Sequence, residues 1–201
     1  LPVRYKPWHD VPFDEAMTEV RRLAKAYPKQ VVAIGETGMD LFRTGESAKE
    51  IQREAFRDHI AVAKELDLPM QIHDRDAHRD VIETLLADGA PRKTVFHSYS
   101  GDAEMGEIAR EHGWYLSLSG ASSYKGNTGI LESAALVGLD HVMVETDAPY
   151  LTPVPFRGKR NDSGYVHLVA EKIAQLKGLP AEQVERQTWE NGVRFFGIPQ
   201  E

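Results

Sequence analysis

The chain contains no cysteine. That absence removes disulfide frameworks, iron–sulfur clusters, Cys-based structural zinc sites and thiol nucleophiles from consideration. No uninterrupted apolar stretch approaches the roughly 20 residues that span a bilayer, so no membrane partner is expected. No leader is visible at an amino terminus that opens on Leu1 rather than methionine, and a cytoplasmic protein is the expectation. Positive charge is not in surplus either: 24 Lys and Arg against 31 Asp and Glu leave a net charge of −7. Such a balance argues against coating nucleic acid by bulk electrostatics, yet it leaves room for local cations in a cleft. Long linkers and low-complexity segments are also missing. With 201 residues, 41% hydrophobic and 27% charged, one domain over residues 1–201 is expected, with no obligate protein partner evident.

What is present is an alternation of short apolar runs with amphipathic stretches. Strands are expected at Val31–Ile34, Pro69–Ile72, Thr94–Phe96, Trp114–Leu118 and Asp140–Val144. Helices are expected at Asp14–Tyr27, Glu50–Leu66, Ala77–Leu86, Ala103–His112, Ile130–Val137, Gly164–Lys177 and Ala181–Phe196. Alternation of this kind specifies a parallel sheet with helices outside. Five βα units fit between Val31 and Phe196, and at that rate eight would need about 265 residues, close to the size of a (β/α)₈ barrel. The fold expected is therefore an α/β TIM barrel lacking its first two or three βα units in this chain. An open doubly wound sheet is the alternative, since five parallel strands can stand alone.

The stretch Val142–Asn161, VMVETDAPYLTPVPFRGKRN, is the most informative. An apolar run stops at Glu145 and Asp147, three prolines stiffen the loop that follows, and Arg157, Lys159 and Arg160 close it. Alone, it would be a strand cap and a solvated turn. Four strand ends, however, carry a potential ligand: Glu36, His73, His97 and Asp147. In a barrel the carboxyl ends of the strands converge on one face. Two imidazoles with two carboxylates suit Zn²⁺, Mn²⁺ or Mg²⁺, and two such ions can activate water and stabilise the leaving oxygen of a phosphodiester. A lone histidine is more often a hydrogen-bonded core residue. His59, His78, His112, His141 and His167 fall in helices or loops and are assigned nothing.

Several motifs carry a resemblance. Ala33-Ile34-Gly35-Glu36 with Gly38 and Asp40 resembles the GEIGLD segment of the TatD family of metal-dependent deoxyribonucleases. Ile72 to Ala77 is similar to its IHSRDA, and His97 to Gly101 to its HCFSG. Glu145 to Pro153 matches its ETDAPYLTP, and Arg157 to Asn161 its basic loop; Asn191 with Arg194 to Phe196 resembles its terminal helix. The resemblance implies an amidohydrolase-like barrel holding two divalent ions. Glu36 would bridge them, His73 and His97 would bind one, and Asp147 would bind the other while orienting or deprotonating the attacking water. It further implies phosphodiester hydrolysis of DNA, single strands or 3′ ends, mostly in the 3′–5′ exonuclease mode. Arg75, Lys159 and Arg160 would hold substrate phosphates; the plainer role for them is solvated or helix-capping charge.

The departures are specific. The family begins with a strand bearing His-x-His, and no His-x-His occurs in this sequence. Its His-Pro-His segment has only a degraded echo in Pro7-Trp8-His9. Two other functions stay open: an amidohydrolase-type enzyme acting on a small-molecule amide or ester, and an inactive truncated barrel serving as a binding module. The second of these should expose apolar surface along Val31–Ile34, where a neighbouring strand would pair.

Overall fold

The computed structural model describes residues 11–199, so the Pro7-Trp8-His9 segment lies outside the described residues. The chain begins with α1 (Phe13–Ala26) and β1 (Ile34–Asp40), followed by a short turn of helix, α2 (Leu41–Thr44), and the long α3 (Lys49–Glu65). Next come β2 (Met70–Arg75), α4 (His78–Asp88), β3 (Thr94–Phe96), α5 (Ala103–Glu111) and β4 (Tyr115–Leu118). The remainder is α6 (Thr128–Leu136), β5 (Val142–Val144), α7 (Val166–Lys177) and α8 (Ala181–Phe196). All strand pairs are parallel and the order is β1-β2-β3-β4-β5. A doubly wound sheet reverses direction at a switch point. This one does not, so the doubly wound alternative fails and the sequential order is that of a barrel wall. Among the described residues β1 pairs only with β2, and β5 only with β4, so the wall stays open.

Period-2 alternation sorts each strand between two faces. Met70 and Ile72, Phe96, Leu116 and Leu118, and Val142 and Val144 join the main core, packing with Phe56 and Ile60 of α3, Leu85 of α4 and Ile173 of α7. In α3 the spacing Phe56, Ile60, Ala63 places these side chains on one stripe. The intervening residues face the other way. There Val95 and Met143 form a second, smaller cluster with Phe195 of α8 and with Tyr115. Helix α8 covers only part of this inward face. A largely apolar groove of about 590 Å³ is left, floored by Gln71, Val95, Ser117 and Met143 and walled by Trp189 and Phe196. Trp189 is 68% exposed.

Two strand expectations need correction. The first strand starts at Ile34, where it was expected to end, and runs to Asp40; the second runs from Met70 to Arg75 rather than stopping at Ile72. Glu36 and His73 therefore lie within strands, not past them. The motif Gly35-Glu36-Thr37-Gly38 has little intrinsic strand preference, but pairing of Gly38 with His73 and of Asp40 with Arg75 carries the ladder through it. The exposed apolar edge at Val31–Ile34 that the binding-module reading calls for is not seen among the described residues: Ile34 is buried and Val31, Val32 and Ala33 are half-buried.

Helix α8 is tied to the sheet by a buried amide. Asn191 Nδ2 donates to the carbonyls of Leu139 and Val142, both at 2.7 Å, and its Oδ1 accepts from Gln187 and Arg194. Asn191→Ala strips the two carbonyls of a partner and is expected to cost about 2–4 kcal/mol, read as a fall in the denaturant midpoint. Asn191→Asp sets a carboxylate against the same carbonyls and should cost at least as much. A loss below about 0.5 kcal/mol, ordinary for a surface site, would contradict this role.

Candidate metal centre

Beyond the apolar floor, the inward row turns polar at the carboxyl ends of the strands. In β1 the register shifts between Ile34 and Thr37, which pair with Met70 and Ile72. Two residues, Gly35 and Glu36, thus oppose the single Gln71, a bulge that re-aims the Glu36 side chain. Gly38 lies directly against β2, where a Cβ would collide with the His73 carbonyl oxygen. His73 follows Gln71 by two residues on the same face, and His97 follows Val95 likewise. Glu36 Oε1 lies 3.5 Å from His73 Nδ1 and Glu36 Oε2 lies 3.1 Å from His97 Nε2. These three side chains offer ligand atoms that all fall within 4.8 Å of one another. A carboxylate between two imidazoles is a donor set suited to a divalent ion of the Zn²⁺ or Mn²⁺ kind, so the residues fit one metal.

Each imidazole is held from behind by a second carboxylate. His97 Nδ1 donates to Glu145 Oε1 at 2.8 Å, and His73 Nε2 lies 3.2 Å from Asp40 Oδ2. A carboxylate can only accept, so these contacts hold a proton on the rear nitrogen and leave the nitrogen on the Glu36 side as the one that could bind an ion. Such carboxylate–histidine pairs orient the ligands of metal sites and raise their basicity. Burial pulls the His97 pKa down, but the Glu145 hydrogen bond and the charges of Glu145, Glu36 and Asp147 outweigh it, and the net shift is upward. The Asp147 carboxyl is raised as well, chiefly by burial, with Glu145 and Glu36 adding to it and His97 and His73 opposing.

The four residues singled out in the sequence do not all form one compact set. Asp147 stands outside the three-residue cluster, in the loop after β5, although it senses the charges of all three. That loop is pinned by buried side chains. Asn161 Nδ2 donates to the carbonyls of Thr146 and Tyr150, and Thr152 Oγ1 to that of Lys159. Asp147 has φ 53°, and Ser98, immediately after His97, has φ 42°. Non-glycine residues in the left-handed region concentrate at functional sites. Arg157, Lys159 and Arg160 are exposed. Arg157 lies over the Tyr124 ring at 4.1 Å and Lys159 over Phe156 at 5.6 Å, while Arg160 lines a cavity of about 670 Å³ with Asn161 and Tyr165. Arg75, at the end of β2, lies on the ring of Phe42 at 3.8 Å. The histidines assigned nothing stay out of the cluster; His112 stacks on Trp114 and His141 packs on Tyr115.

Known proteins resemble this chain in sequence and fold. The family model described as TatD related DNase matches residues 5–197. The chain belongs to that family. Among curated TatD relatives, the uncharacterized metal-dependent hydrolase YabD of Bacillus subtilis is 41% identical over 196 residues, 95% of this chain and 76% of that protein. The uncharacterized metal-dependent hydrolase TatD of Mycobacterium tuberculosis is 40% identical, over 92% of this chain and 71% of its own length. Among solved structures, YJJV, a TatD homologue from Escherichia coli, superposes with a TM-score of 0.84 at 27% identity, covering 92% of this chain and 71% of that one. The TIM-barrel class follows, with the sheet open among the described residues. No helix is long and apolar enough to cross a membrane among the described residues.

Asp40 and Glu145 were named in the motifs without a role. Both were within reach of a period-2 argument: Glu36, Gly38 and Asp40 share one face of β1, and Glu145 follows Met143 by two. Reading residues 35–40 as a loop removed that argument for Asp40.

Behind the site, His78 Nδ1 donates to Asp74 Oδ2 at 2.7 Å, and Asp74 Oδ1 is buried without a partner among the described residues. The hydrogen bond to Asp74 raises the His78 pKa against the pull of burial. A pKa raised on folding contributes stability that is fully present below the unfolded value, about 6.5, and is lost as pH rises through the folded value. Unfolding free energy of the metal-free protein should therefore fall as pH rises above about 6.5, and His78→Gln should make that fall shallower. An identical slope in the variant would remove the pair from the pH response.

Proposed function

We propose that this TatD-family hydrolase cleaves phosphodiester bonds in DNA with bound divalent metal, acting on single strands or 3′ ends. The observation that carries the reading is the Glu36–His73–His97 cluster with its rear carboxylates, set on the strand-end face beside Arg75, Arg157, Lys159 and Arg160. Glu36, His73 and His97 would hold one ion, and Glu36 with Asp147 would contribute to a second. The metal supplies Lewis acidity and lowers the pKa of bound water. The chain's residues do the rest. Glu145 and Asp40 keep the imidazoles turned toward the site. Asp147, in the loop after β5, orients the attacking water and takes its proton. The exposed cations meet the phosphates, where guanidinium forks match the geometry of the oxygens.

Phosphate selectivity is what separates this reading from a small-molecule amidase on the same scaffold. An anionic backbone matches a rim of four cations, whereas a neutral amide has no use for them. The test is degradation of single-stranded DNA with Mn²⁺, Mg²⁺ or Zn²⁺ supplied, and its arrest by EDTA. Lactone or amide hydrolysis with no nuclease activity would replace the proposal with the amidohydrolase alternative, and inertness toward every substrate with metal bound would favour the binding module. Two substitutions should fail in different ways. Asp147→Asn keeps size but removes charge and basicity, and kcat should drop about 10²- to 10⁴-fold. Lys159→Ala removes an exposed phosphate contact, so KM should rise and lose part of its salt dependence with kcat little changed. Near-normal turnover of Asp147→Asn at saturating metal would take that residue out of the mechanism.

A further inference from the structure

Phe42 is a large apolar side chain left 58% exposed at the rim of the candidate centre. It sits on α2, the four-residue helical turn that directly follows β1. That turn is fastened to the site. Asp40 Oδ1 accepts from the Arg43 amide at 2.8 Å, capping the turn, while its other oxygen, Oδ2, meets His73. Gln52 of α3 braces the turn from outside: its Oε1 accepts from the Asp40 amide and its Nε2 donates to Thr44 Oγ1, both at 2.7 Å. The ring is thus presented on a fixed support two residues from a carboxylate that orients one of the candidate ligands.

Arg75 reaches the same ring from β2. Asp40 and Arg75 are register partners, and the guanidinium carbon lies 3.8 Å from the Phe42 centroid. Among the described residues no hydrogen bond or ion pair engages the Arg75 guanidinium, so its edge N–H donors stay free while its face is used in stacking. Shielding of the ring does not explain the pair, because more than half of Phe42 is exposed with the arginine already on it. An exposed aromatic ring, with Arg75 at 3.8 Å and Arg43 at 5.9 Å from its centroid, beside an uncommitted guanidinium has the two elements that bind a nucleotide of a single strand: a stacking surface for the base and a fork for the phosphate.

We propose that Phe42 and Arg75 form a nucleotide subsite at the rim of the Glu36–His73–His97 cluster, Phe42 stacking a base of a single-stranded nucleic acid and Arg75 holding a neighbouring phosphate. The subsite deepens the phosphodiesterase reading and rests on it for its place in a reaction. It does not depend on which metal is bound, and it makes stacking rather than base-edge hydrogen bonding the basis of recognition, so tolerance of base identity follows.

The test measures equilibrium binding of a fluorescein-labelled oligothymidylate and of an abasic strand of equal length, with metal chelated so that no strand is cut. Phe42→Ala should weaken oligothymidylate binding about tenfold or more and leave the abasic strand unaffected, while Phe42→Tyr stays near wild type. Arg75→Ala should weaken both strands and reduce the slope of log Kd against log salt by about 0.7, one phosphate's worth. Unchanged melting temperatures confirm that the variants are folded. The subsite is overturned if Phe42→Ala binds oligothymidylate like wild type, if both strands lose affinity equally, or if the wild type binds neither strand. Hydrolysis of bis(p-nitrophenyl) phosphate, a phosphodiester without a nucleobase, by the metal-loaded wild type reports on the function separately. Hydrolysis with Phe42-independent binding sinks the subsite alone, and Phe42-dependent binding without hydrolysis sinks the phosphodiesterase reading alone.

Discussion

Everything at this site depends on the two-residue alternation of a parallel strand whose neighbours run in step with it. In β2 to β5 one set of alternate residues is apolar and meets the helices. That burial fixes the register, because a slip by one residue would exchange the two faces. The other set is then delivered to the inward face with no freedom of its own: apolar or neutral at Gln71, Val95, Ser117 and Met143, ionisable one step further at His73, His97 and Glu145. The hydrophobic core thus positions the polar cluster. β1 alone departs from the rule, and its bulge is what brings Glu36 between the two imidazoles.

The electrostatics of the cluster follow from that placement. Four carboxylates, Glu36, Asp40, Glu145 and Asp147, surround two histidines. Even with both imidazoles protonated, acid is in excess; the surrounding carboxylates raise the His97 pKa against the pull of burial, and they add to the burial that raises Asp147. Like charges gathered this closely, three of them half-buried and Glu36 exposed, are costly unless cations enter. A divalent ion would offset two of those four negative charges, and the rear carboxylates would then serve as ligand orienters rather than as a source of repulsion. Two arginines at or beyond strand ends lie instead on aromatic rings: Arg75, at the end of β2, on Phe42, and Arg157, in the loop after β5, on Tyr124.

Much of this was legible in the sequence, and the unread parts share a cause. Thr94–Phe96 and Ala181–Phe196 fall where the sequence places them, because apolar runs and long amphipathic helices signal themselves locally. The candidate ligands Glu36, His73, His97 and Asp147 were visible as recurring strand ends. The extent of β1 was not, since two glycines and a threonine speak for a loop and only pairing with β2 makes residues 35–40 a strand. Asp40 was hidden with it. Phe42 was hidden for a related reason: exposure of an aromatic ring is a property of the assembled surface, and no local pattern announces it. The groove beside α8 likewise arises from how far one helix covers a sheet face.

The central claim is that the carboxylate of Glu36 and the imidazoles of His73 and His97 form a metal site. Crystals of the protein grown with Mn²⁺ or Zn²⁺ and measured at the absorption edge of that metal test it most directly. The account predicts an anomalous peak bounded by Glu36, His73 and His97, with ligand distances near 2.0–2.2 Å for zinc, and its loss in His97→Ala. A fully occupied metal elsewhere on the chain, with Glu36, His73 and His97 left bridged to one another, would contradict it.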